Sequence, residues 1–251
     1  MFAQLYHAHH SRHVEDLPFW LKLAAQQNGP ILELGCGTGR VLLALARAGY
    51  IAYGLDIDAR MLAFLQLQTS PDPASGGHFF LADMAAFHLS QLFALILLPC
   101  NTLSTLHAKT RLAALANIRQ HLSPDGLFTA SLPNPSLLAR LPRRADTEIE
   151  EVFPHPIDSE PVQVSSAWQR SAGHVTITWY YDHLLPNGHV ERFTTQVRHR
   201  LLPAESYIDE FNQTGLAVET LYGDFDQSPY TENSPSLIIL ARSGGKYRPI
   251  T

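Results

Sequence analysis

Cysteine is scarce in this sequence, and long apolar runs are missing. Only Cys36 and Cys100 occur among the 251 residues, which is too few for the disulfide framework of a secreted domain and favours a reducing compartment. No apolar stretch approaches the roughly 20 residues that span a bilayer, and residues 1–20 lack the charged and apolar regions of a secretory signal. We therefore expect a cytoplasmic protein with no membrane partner.

Positive charge is limited as well. The chain has 18 Lys and Arg against 23 Asp and Glu, a formal net charge of −5, and its basic residues are scattered. Nucleic-acid binding requires clustered Lys and Arg that neutralise phosphates, so no nucleic-acid partner is expected. The composition favours a small-molecule partner instead.

Short apolar runs alternate with helical periodicity over residues 30–132, a pattern typical of βαβ units and a parallel sheet. The five strands predicted there are residues 31–34, 52–55, 78–81, 94–98 and 127–132. Residues 218–222 and 237–241 have no helical pattern between them, so we expect an antiparallel hairpin at the end of the sheet. The prediction is a doubly wound, Rossmann-like α/β fold with a mostly parallel seven-stranded sheet.

Residues 147–201 differ from this pattern, because they contain β-rich segments and turn signals but no convincing helix. Ala172-Gly173 and Pro186-Asn187-Gly188 would join three antiparallel strands by tight turns. We assign residues 1–136 and 202–251 to the main domain, and residues 137–201 to a small inserted antiparallel β-sheet.

A glycine-rich loop, residues 35–39, follows the first predicted strand, and Arg40 begins the next helix. Glycine lets a backbone approach a ligand, and a helix N-terminus offers free N–H groups, although a plain tight turn has the same composition. A dinucleotide fingerprint has Gly or Ala where Arg40 stands, and the Gly-Lys-Ser/Thr ending of a phosphate-binding loop does not occur. The spacing therefore disfavours both of these ligands.

The strand end and loop together have the sequence ELGCGTGR over residues 33–40. This segment resembles motif I of the class I S-adenosylmethionine-dependent methyltransferases, and the resemblance extends over most of the chain outside the insertion. In that family the loop lies against the methionine part of the cofactor, and the acid corresponding to Glu33 organises that end. A carboxylate under the loop suits a sulfonium cation.

The ends of the next strands complete the site that the resemblance implies. Asp56 would accept hydrogen bonds from the ribose hydroxyls, although it could instead cap the following helix, for which Asp58 is the better candidate. Asp83 matches the adenine-binding position. The implied cofactor-binding residues are Glu33, Gly35, Cys36, Gly37, Gly39, Asp56, Ile57, Asp83, Met84 and Pro99.

The fourth predicted strand runs into Pro99, and the resemblance places the residues after the strand beside the acceptor. Asn101 could orient a polar acceptor or bond its own loop, whereas Cys100 is more typical of a packing residue than of a nucleophile. The N-terminal segment is implied to fold over the cofactor. Tyr6, His10 and Asn101 are therefore the candidate catalytic residues.

The run His7-x-His9-His10 also raises the question of a metal site. No Glu stands at the helical zinc spacing and no cysteine supports such a site, so surface histidines and no metal are predicted.

The resemblance implies an enzyme that methylates an N, O or C atom of a small molecule. The first alternative is a binding module that keeps the cofactor pocket, performs no transfer and holds a partner with the inserted sheet. The second is a nicotinamide oxidoreductase, which Arg40 argues against. Related enzymes carry an antiparallel sheet at the position of the insertion, either as a lid over the acceptor or as a homodimer surface.

Overall fold

The structure is a computed structural model that describes residues 2–69 and 77–244; residues 1, 70–76 and 245–251 of the predicted main domain lie outside the described residues. The helices are α1 (Phe2–His10), α2 (Leu17–Ala25), α3 (Arg40–Arg47), α4 (Ala59–Gln68), α5 (Thr102–Thr105), α6 (Ala108–His121), α7 (Pro135–Arg140) and α8 (Ala204–Gln213). The strands are β1 (Ile31–Leu34), β2 (Ala52–Asp56), β3 (His78–Leu81), β4 (Phe93–Leu98), β5 (Leu122–Pro133), β6 (Glu148–Pro154), β7 (Pro161–Arg170), β8 (His174–Leu184), β9 (Val190–Arg200), β10 (Leu216–Tyr222) and β11 (Ser236–Ser243).

Seven strands form the main sheet in the order β3, β2, β1, β4, β5, β11, β10. The neighbouring pairs from β3 to β5 are parallel, and β11 runs antiparallel to both β5 and β10. The predicted fold class and terminal hairpin are thereby confirmed. No helix in the described part of the chain is long and apolar enough to cross a membrane.

Helices cover both faces of the main sheet. The central strand β4 has the sequence FALILL and is buried at every residue, as expected for a parallel strand that has helices on either side. On one face Leu115 of α6 and Phe211 of α8 join the core, while Trp20 of α2 and Leu42 of α3 do so on the other. This arrangement leaves the carboxyl ends of β1, β2, β3 and β4 together at one edge, where ligands of such sheets bind.

The inserted sheet has four antiparallel strands in the order β6, β7, β8, β9, one more than the sequence predicts. The additional strand is β6, whose sequence EIEEVFP is acidic and mostly exposed. A β-bulge between Ile149 and Glu151 interrupts the regular alternation of side chains along this strand. Sequence patterning therefore missed it.

The N-terminal helix α1 packs on the inserted sheet. Leu5 lies in a small core with Phe153, Val164 and Tyr181. The sequence analysis groups residues 1–136 with the main domain, yet this helix covers the apolar face of the insertion. The N-terminal segment therefore connects the two sheets.

Candidate functional site

The loop between β1 and α3 forms the first wall of the candidate site. Gly35, Gly37 and Gly39 have positive φ angles of 68°, 54° and 88°, which side chains disfavour. A Cβ atom on Gly37 would meet no described atom within 4 Å, so a ligand can approach this backbone, whereas a Cβ on Gly39 would collide with Leu65. Gly37 is therefore open for binding, and Gly39 is needed where α3 and α4 pack closely.

Asp56 ends β2 and holds the glycine loop in place. Its Oδ2 accepts a hydrogen bond from the Gly37 N–H at 2.8 Å, and its Oδ1 accepts one from the Asp58 N–H at 2.8 Å. An ionised carboxylate has about four acceptor sites, so two stay available for ligand hydroxyls. The helix cap considered for Asp56 is made by Asp58, which accepts from the Arg60 N–H at 2.9 Å.

Glu33 lies beneath the same loop. Its side chain is buried, and its Oε2 atom has no hydrogen-bond partner among the described residues. Burial raises the pKa of this carboxyl to about 8, although the nearby Arg40 guanidinium opposes the shift. A buried carboxylate that lacks a partner is costly, so this position favours a cationic ligand that would stabilise its ionised form.

The end of β3 supplies the opposite wall. Met84 Cε lies 3.7 Å from the position of a Cβ on Gly35, which places this side chain against the loop. Ile57 is 72% exposed, so its apolar surface is available to a flat ligand group. Asp83 is exposed, and its Oδ1 accepts a hydrogen bond from the Ala85 N–H at 2.8 Å. We call this site, from Glu33 and loop 35–39 to Asp56, Asp83 and Met84, the strand-end crevice.

Two of the predicted cofactor-binding residues have mainly packing contacts. Cys36 is buried, and a Cβ on Gly54 would lie 2.8 Å from its sulfur, so this side chain faces β2. Pro99 is buried at the end of β4, where its carbonyl oxygen accepts from Thr102 Oγ1 at 3.2 Å. Only the backbone of these residues can contribute to the crevice.

Cys100 and Asn101 continue the chain from β4 in an unusual conformation. Both have positive φ, 59° and 63°, a conformation that costs non-glycine residues free energy and is concentrated at functional sites. The Asn101 carbonyl is held by Ser104 Oγ at 2.7 Å, while its side chain makes no cap hydrogen bond to α5. The side-chain amide of Asn101 therefore remains available for a ligand.

Arg40 fastens the N-terminal segment to the glycine loop. Its Nη2 donates to Asp16 Oδ2 at 2.7 Å, its Nη1 donates to Asp16 Oδ1 as well, and the same Nη1 donates to the His13 carbonyl at 2.9 Å. Trp20 Nε1 donates to the same carboxylate at 2.8 Å. Arg40 Nη2 also reaches Cys100 Sγ at 3.3 Å. Asp16 could not be identified from the sequence, because its partner Arg40 is 24 residues away on another element.

A cavity of about 420 Å³ lies under the inserted sheet. We call it the inner cavity. Its lining includes Tyr6, His10, Asn101, Trp179, Tyr181 and His199. The structure thus brings the three predicted catalytic residues to one cavity.

Burial governs the protonation of the two N-terminal candidates. It raises the pKa of Tyr6, and Cys100, Tyr181 and Asp56 contribute to the same shift, so the phenol stays protonated. Burial also lowers the pKa of His10 to about 3, with smaller contributions from other nearby bases. His10 is therefore neutral at physiological pH and can accept a hydrogen bond, but it is a weak proton acceptor.

Comparison with known proteins identifies the domain. Residues 31–126 match a family model described as a methyltransferase domain. YqeM of Bacillus subtilis (strain 168), a curated protein provisionally named a methyltransferase, is 24% identical over 229 residues, which cover 89% of this chain and 87% of YqeM. Residues 31–126 therefore form a region similar to known methyltransferase domains. This match supports the family resemblance, and S-adenosylmethionine is the cofactor named for solved structures of the same fold.

Solved structures share the architecture of this methyltransferase domain and of the insertion. An S-adenosylmethionine-dependent methyltransferase from Clostridium acetobutylicum ATCC 824 has a TM-score of 0.81 at 15% identity, covering 97% of this chain and 98% of its own. CalS10, an amino pentose methyltransferase from Micromonospora echinaspora with bound S-adenosylmethionine, has a TM-score of 0.73 at 19% identity, covering 96% and 97% of the two chains. The insertion is therefore part of the shared fold.

The inserted sheet turns one face towards the methyltransferase domain. Trp179 and Tyr181 line the inner cavity, whereas the alternation of strand β8 places Tyr180 on the opposite face, under the Arg192 guanidinium. Strand β9, the last strand of the inserted sheet, is joined to α5 by a hydrogen bond between His199 Nδ1 and Ser104 Oγ at 2.8 Å. The alternation of Val175, Ile177 and Trp179 in the sequence indicates one covered face, but it does not indicate which element covers it.

Proposed function

We propose that this chain transfers the methyl group of S-adenosylmethionine to a small molecule held in the inner cavity. The observation that carries the proposal is that the inner cavity reaches the glycine loop. Arg40, which directly follows loop 35–39, lines this cavity together with Tyr6 and Asn101. A ligand in the crevice and a ligand in the cavity would therefore meet beside these residues.

The strand-end crevice fits the cofactor in charge and shape. The unpartnered Glu33 carboxylate suits the cationic methionine end, the open backbone at Gly37 allows close approach, and Asp56 keeps two acceptor sites for the ribose. Asp83, Met84 and Ile57 would hold the adenine. The bound cofactor supplies an activated methyl group, and this chain's residues have only to orient the acceptor towards it.

Among N, O and C acceptors, the cavity favours a neutral amine. A hydroxyl acceptor benefits from a general base whose pKa is near 7, but burial lowers the pKa of both His10 and His199. An amine that has already lost its proton needs no such base, and Asn101 or the Tyr6 hydroxyl could hold it by a hydrogen bond. The amino sugar named for CalS10 belongs to this chemical class.

A methyl-transfer assay over matched acceptors tests the proposal. Purified protein would be incubated with S-adenosylmethionine and a panel of amino sugars, the corresponding hydroxy sugars and simple amines, with release of S-adenosylhomocysteine as the readout. We expect turnover with at least one amino compound and less with its hydroxy analogue. Cofactor binding without turnover of any acceptor would instead indicate the binding module, and preference for the hydroxy compounds would overturn the amine assignment.

A nicotinamide cofactor is disfavoured by the contacts of Arg40. The guanidinium fills the sixth position of the loop with an ion pair to Asp16, where a dinucleotide site needs a small residue. Tighter binding of NAD than of S-adenosylmethionine in calorimetry would reverse this conclusion.

We further propose that any homodimer would use the outer face of the inserted sheet. The inner face is occupied by α1 and the inner cavity. The outer face carries Tyr180 and the ion pair between Arg192 and Asp182, and is polar. Light scattering of the wild type and of Tyr180→Glu tests this assignment, because a dimer that uses this face would dissociate in the variant.

A further inference from the structure

Two histidines and a glutamate meet where the N-terminal segment crosses the inserted sheet. His9 Nε2 lies 3.3 Å from Glu151 Oε1 on β6, and His13 Nε2 lies 3.6 Å from the same oxygen. The three atoms all lie within 4.8 Å of one another. Ligand atoms that surround a tetrahedral zinc ion at about 2.0–2.1 Å are about 3.3 Å apart. The two distances from the histidines to Glu151 Oε1 are close to this value.

The contacts within this cluster are not ordinary hydrogen bonds. Glu151 Oε1 is buried and has no hydrogen-bond partner among the described residues, although two imidazole nitrogens face it. A buried carboxylate oxygen without a donor is costly. A cation bound by all three atoms would remove this cost.

Neighbouring side chains hold the cluster in a suitable orientation. His9 Nδ1 lies 3.0 Å from the Tyr181 hydroxyl, and a histidine whose Nδ1–H donates there presents the lone pair of Nε2 to the cluster. Arg12 Nε lies 3.5 Å from Glu151 Oε2, which leaves Oε1 as the free oxygen. Metal-binding histidines and carboxylates are commonly oriented by such outer contacts.

A second cluster in the inserted sheet is of a different kind. Asp158 Oδ1 accepts hydrogen bonds from His155 Nδ1 at 3.0 Å and from His183 Nε2 at 3.2 Å. These contacts satisfy the carboxylate without a cation. This cluster therefore serves as an internal control rather than as a candidate site.

We propose that His9, His13 and Glu151 bind one divalent transition-metal ion of the zinc type. The ion would fasten the N-terminal segment to the inserted sheet beside the inner cavity, which His13 and Tyr181 both line. Three protein ligands leave one position for water or another small ligand. No metal is predicted from the sequence, because no Glu stands at zinc spacing near these histidines. His9 and His13 are four residues apart, and the carboxylate comes from the distant strand β6.

Metal binding by the full chain tests the proposal. The protein would be treated with a chelator, dialysed and titrated with Zn²⁺ in a calorimeter, and with Co²⁺ while its visible absorption is recorded. We expect one ion per chain, with a Co²⁺ spectrum of nitrogen and oxygen ligands and a higher melting temperature in Zn²⁺. Absence of binding would overturn the proposal.

Two variants and a control locate the ion. His13→Ala and Glu151→Gln should each weaken Zn²⁺ binding at least about tenfold, the lower end of what loss even of an outer contact costs, whereas His155→Ala should bind as the wild type does. The His13 side chain is 56% exposed, so its loss should leave the fold intact, which circular dichroism would verify. Unchanged affinity in both variants, or loss in His155→Ala alone, would contradict the assignment.

Discussion

The strand-end crevice takes its groups from a short stretch of chain, residues 33–84, whereas the inner cavity collects Tyr6, Asn101, Tyr181 and Phe225 from segments spread over most of the sequence. In the crevice the polar groups are positioned by backbone contacts at successive strand ends, such as the bond from the Gly37 N–H to Asp56. In the cavity they depend on how the N-terminal segment and the inserted sheet dock onto the main sheet.

This difference separates two kinds of specificity. A crevice fixed by the turns of a parallel sheet changes little when surface segments vary, which suits a cofactor common to a whole family. A cavity lined by a separate sheet and a terminal helix can change its lining while the crevice stays intact. A substitution in the inner cavity should therefore leave ligand binding in the strand-end crevice largely unchanged, and the reverse should also hold.

The largest expected effect follows from Asp56→Ala. The substitution removes the ribose acceptor and also frees the Gly37 N–H from its 2.8 Å hydrogen bond. Because hydrogen bonds to charged groups contribute about 1.5–3 kcal/mol each, the affinity for S-adenosylmethionine should fall at least about 100-fold in calorimetry. Asp56→Asn, which retains one acceptor oxygen, should lose less. Equal affinity in a folded Asp56→Ala protein would remove Asp56 from the cofactor site.

The next largest effect concerns the fastening of the N-terminal segment. Arg40→Gln breaks an ion pair with Asp16 in which both side chains are mostly buried, 15% and 12% exposed. Leaving a buried charge unpaired costs about 3–5 kcal/mol, so urea unfolding should show a loss approaching this range. The matched control is Arg60→Gln, because Arg60 pairs with Asp58 but is 82% exposed, and a surface pair contributes little to stability. Similar losses in the two variants would mean that Arg40 does not anchor the segment.

The main sheet could be predicted from the sequence because its signals are local. Strands β1 and β3 begin and end at the predicted residues, and β4 and β5 only extend the predicted runs. The glycine loop and the acid at the end of β2 also lie within a short segment whose spacing disfavours a dinucleotide or a nucleoside triphosphate. Crevice residues are therefore recoverable from pattern and resemblance together.

The inner cavity and its contacts could not be predicted in the same way. Helix α1 is a nine-residue element whose buried side chains are Leu5 and His9, and its apolar pattern is too short to stand out. The partners of Arg40 and His9 are Asp16 and Glu151, and neither pair follows a periodicity. Such contacts depend on how separate elements dock, which a single sequence does not encode locally.

A smaller effect should appear as a pH dependence of two quantities, the stability of the protein and its affinity for the cofactor. Burial raises the pKa of Glu33 to about 8, whereas an unfolded Glu titrates near about 4.3. Between these values the folded state binds more protons than the unfolded state, so the stability of the ligand-free protein should fall as pH rises. The affinity for the cationic cofactor should rise over the same window, by up to about tenfold per pH unit.

Glu33→Gln separates this effect from other titrations. The variant keeps the shape of the side chain but loses its proton equilibrium, so both pH dependences should flatten. Calorimetry with S-adenosylmethionine and urea unfolding at pH 6, 7 and 8 would measure them. A variant that retains the wild-type pH profiles would assign the effect to another group.

The smallest expected effect comes from a single hydroxyl on the inserted sheet. Tyr181→Phe removes the partner of His9 Nδ1, which lies 3.0 Å away, and should lower the free energy of unfolding by about 1 kcal/mol. Because Tyr181 lines the inner cavity and not the crevice, the KM for the acceptor should rise a few-fold while the Kd for S-adenosylmethionine stays constant. Tyr180→Phe, on the opposite face of the same strand, should change neither constant. If Tyr181→Phe weakened cofactor binding as much as acceptor binding, ligand binding in the inner cavity and in the strand-end crevice would be energetically coupled.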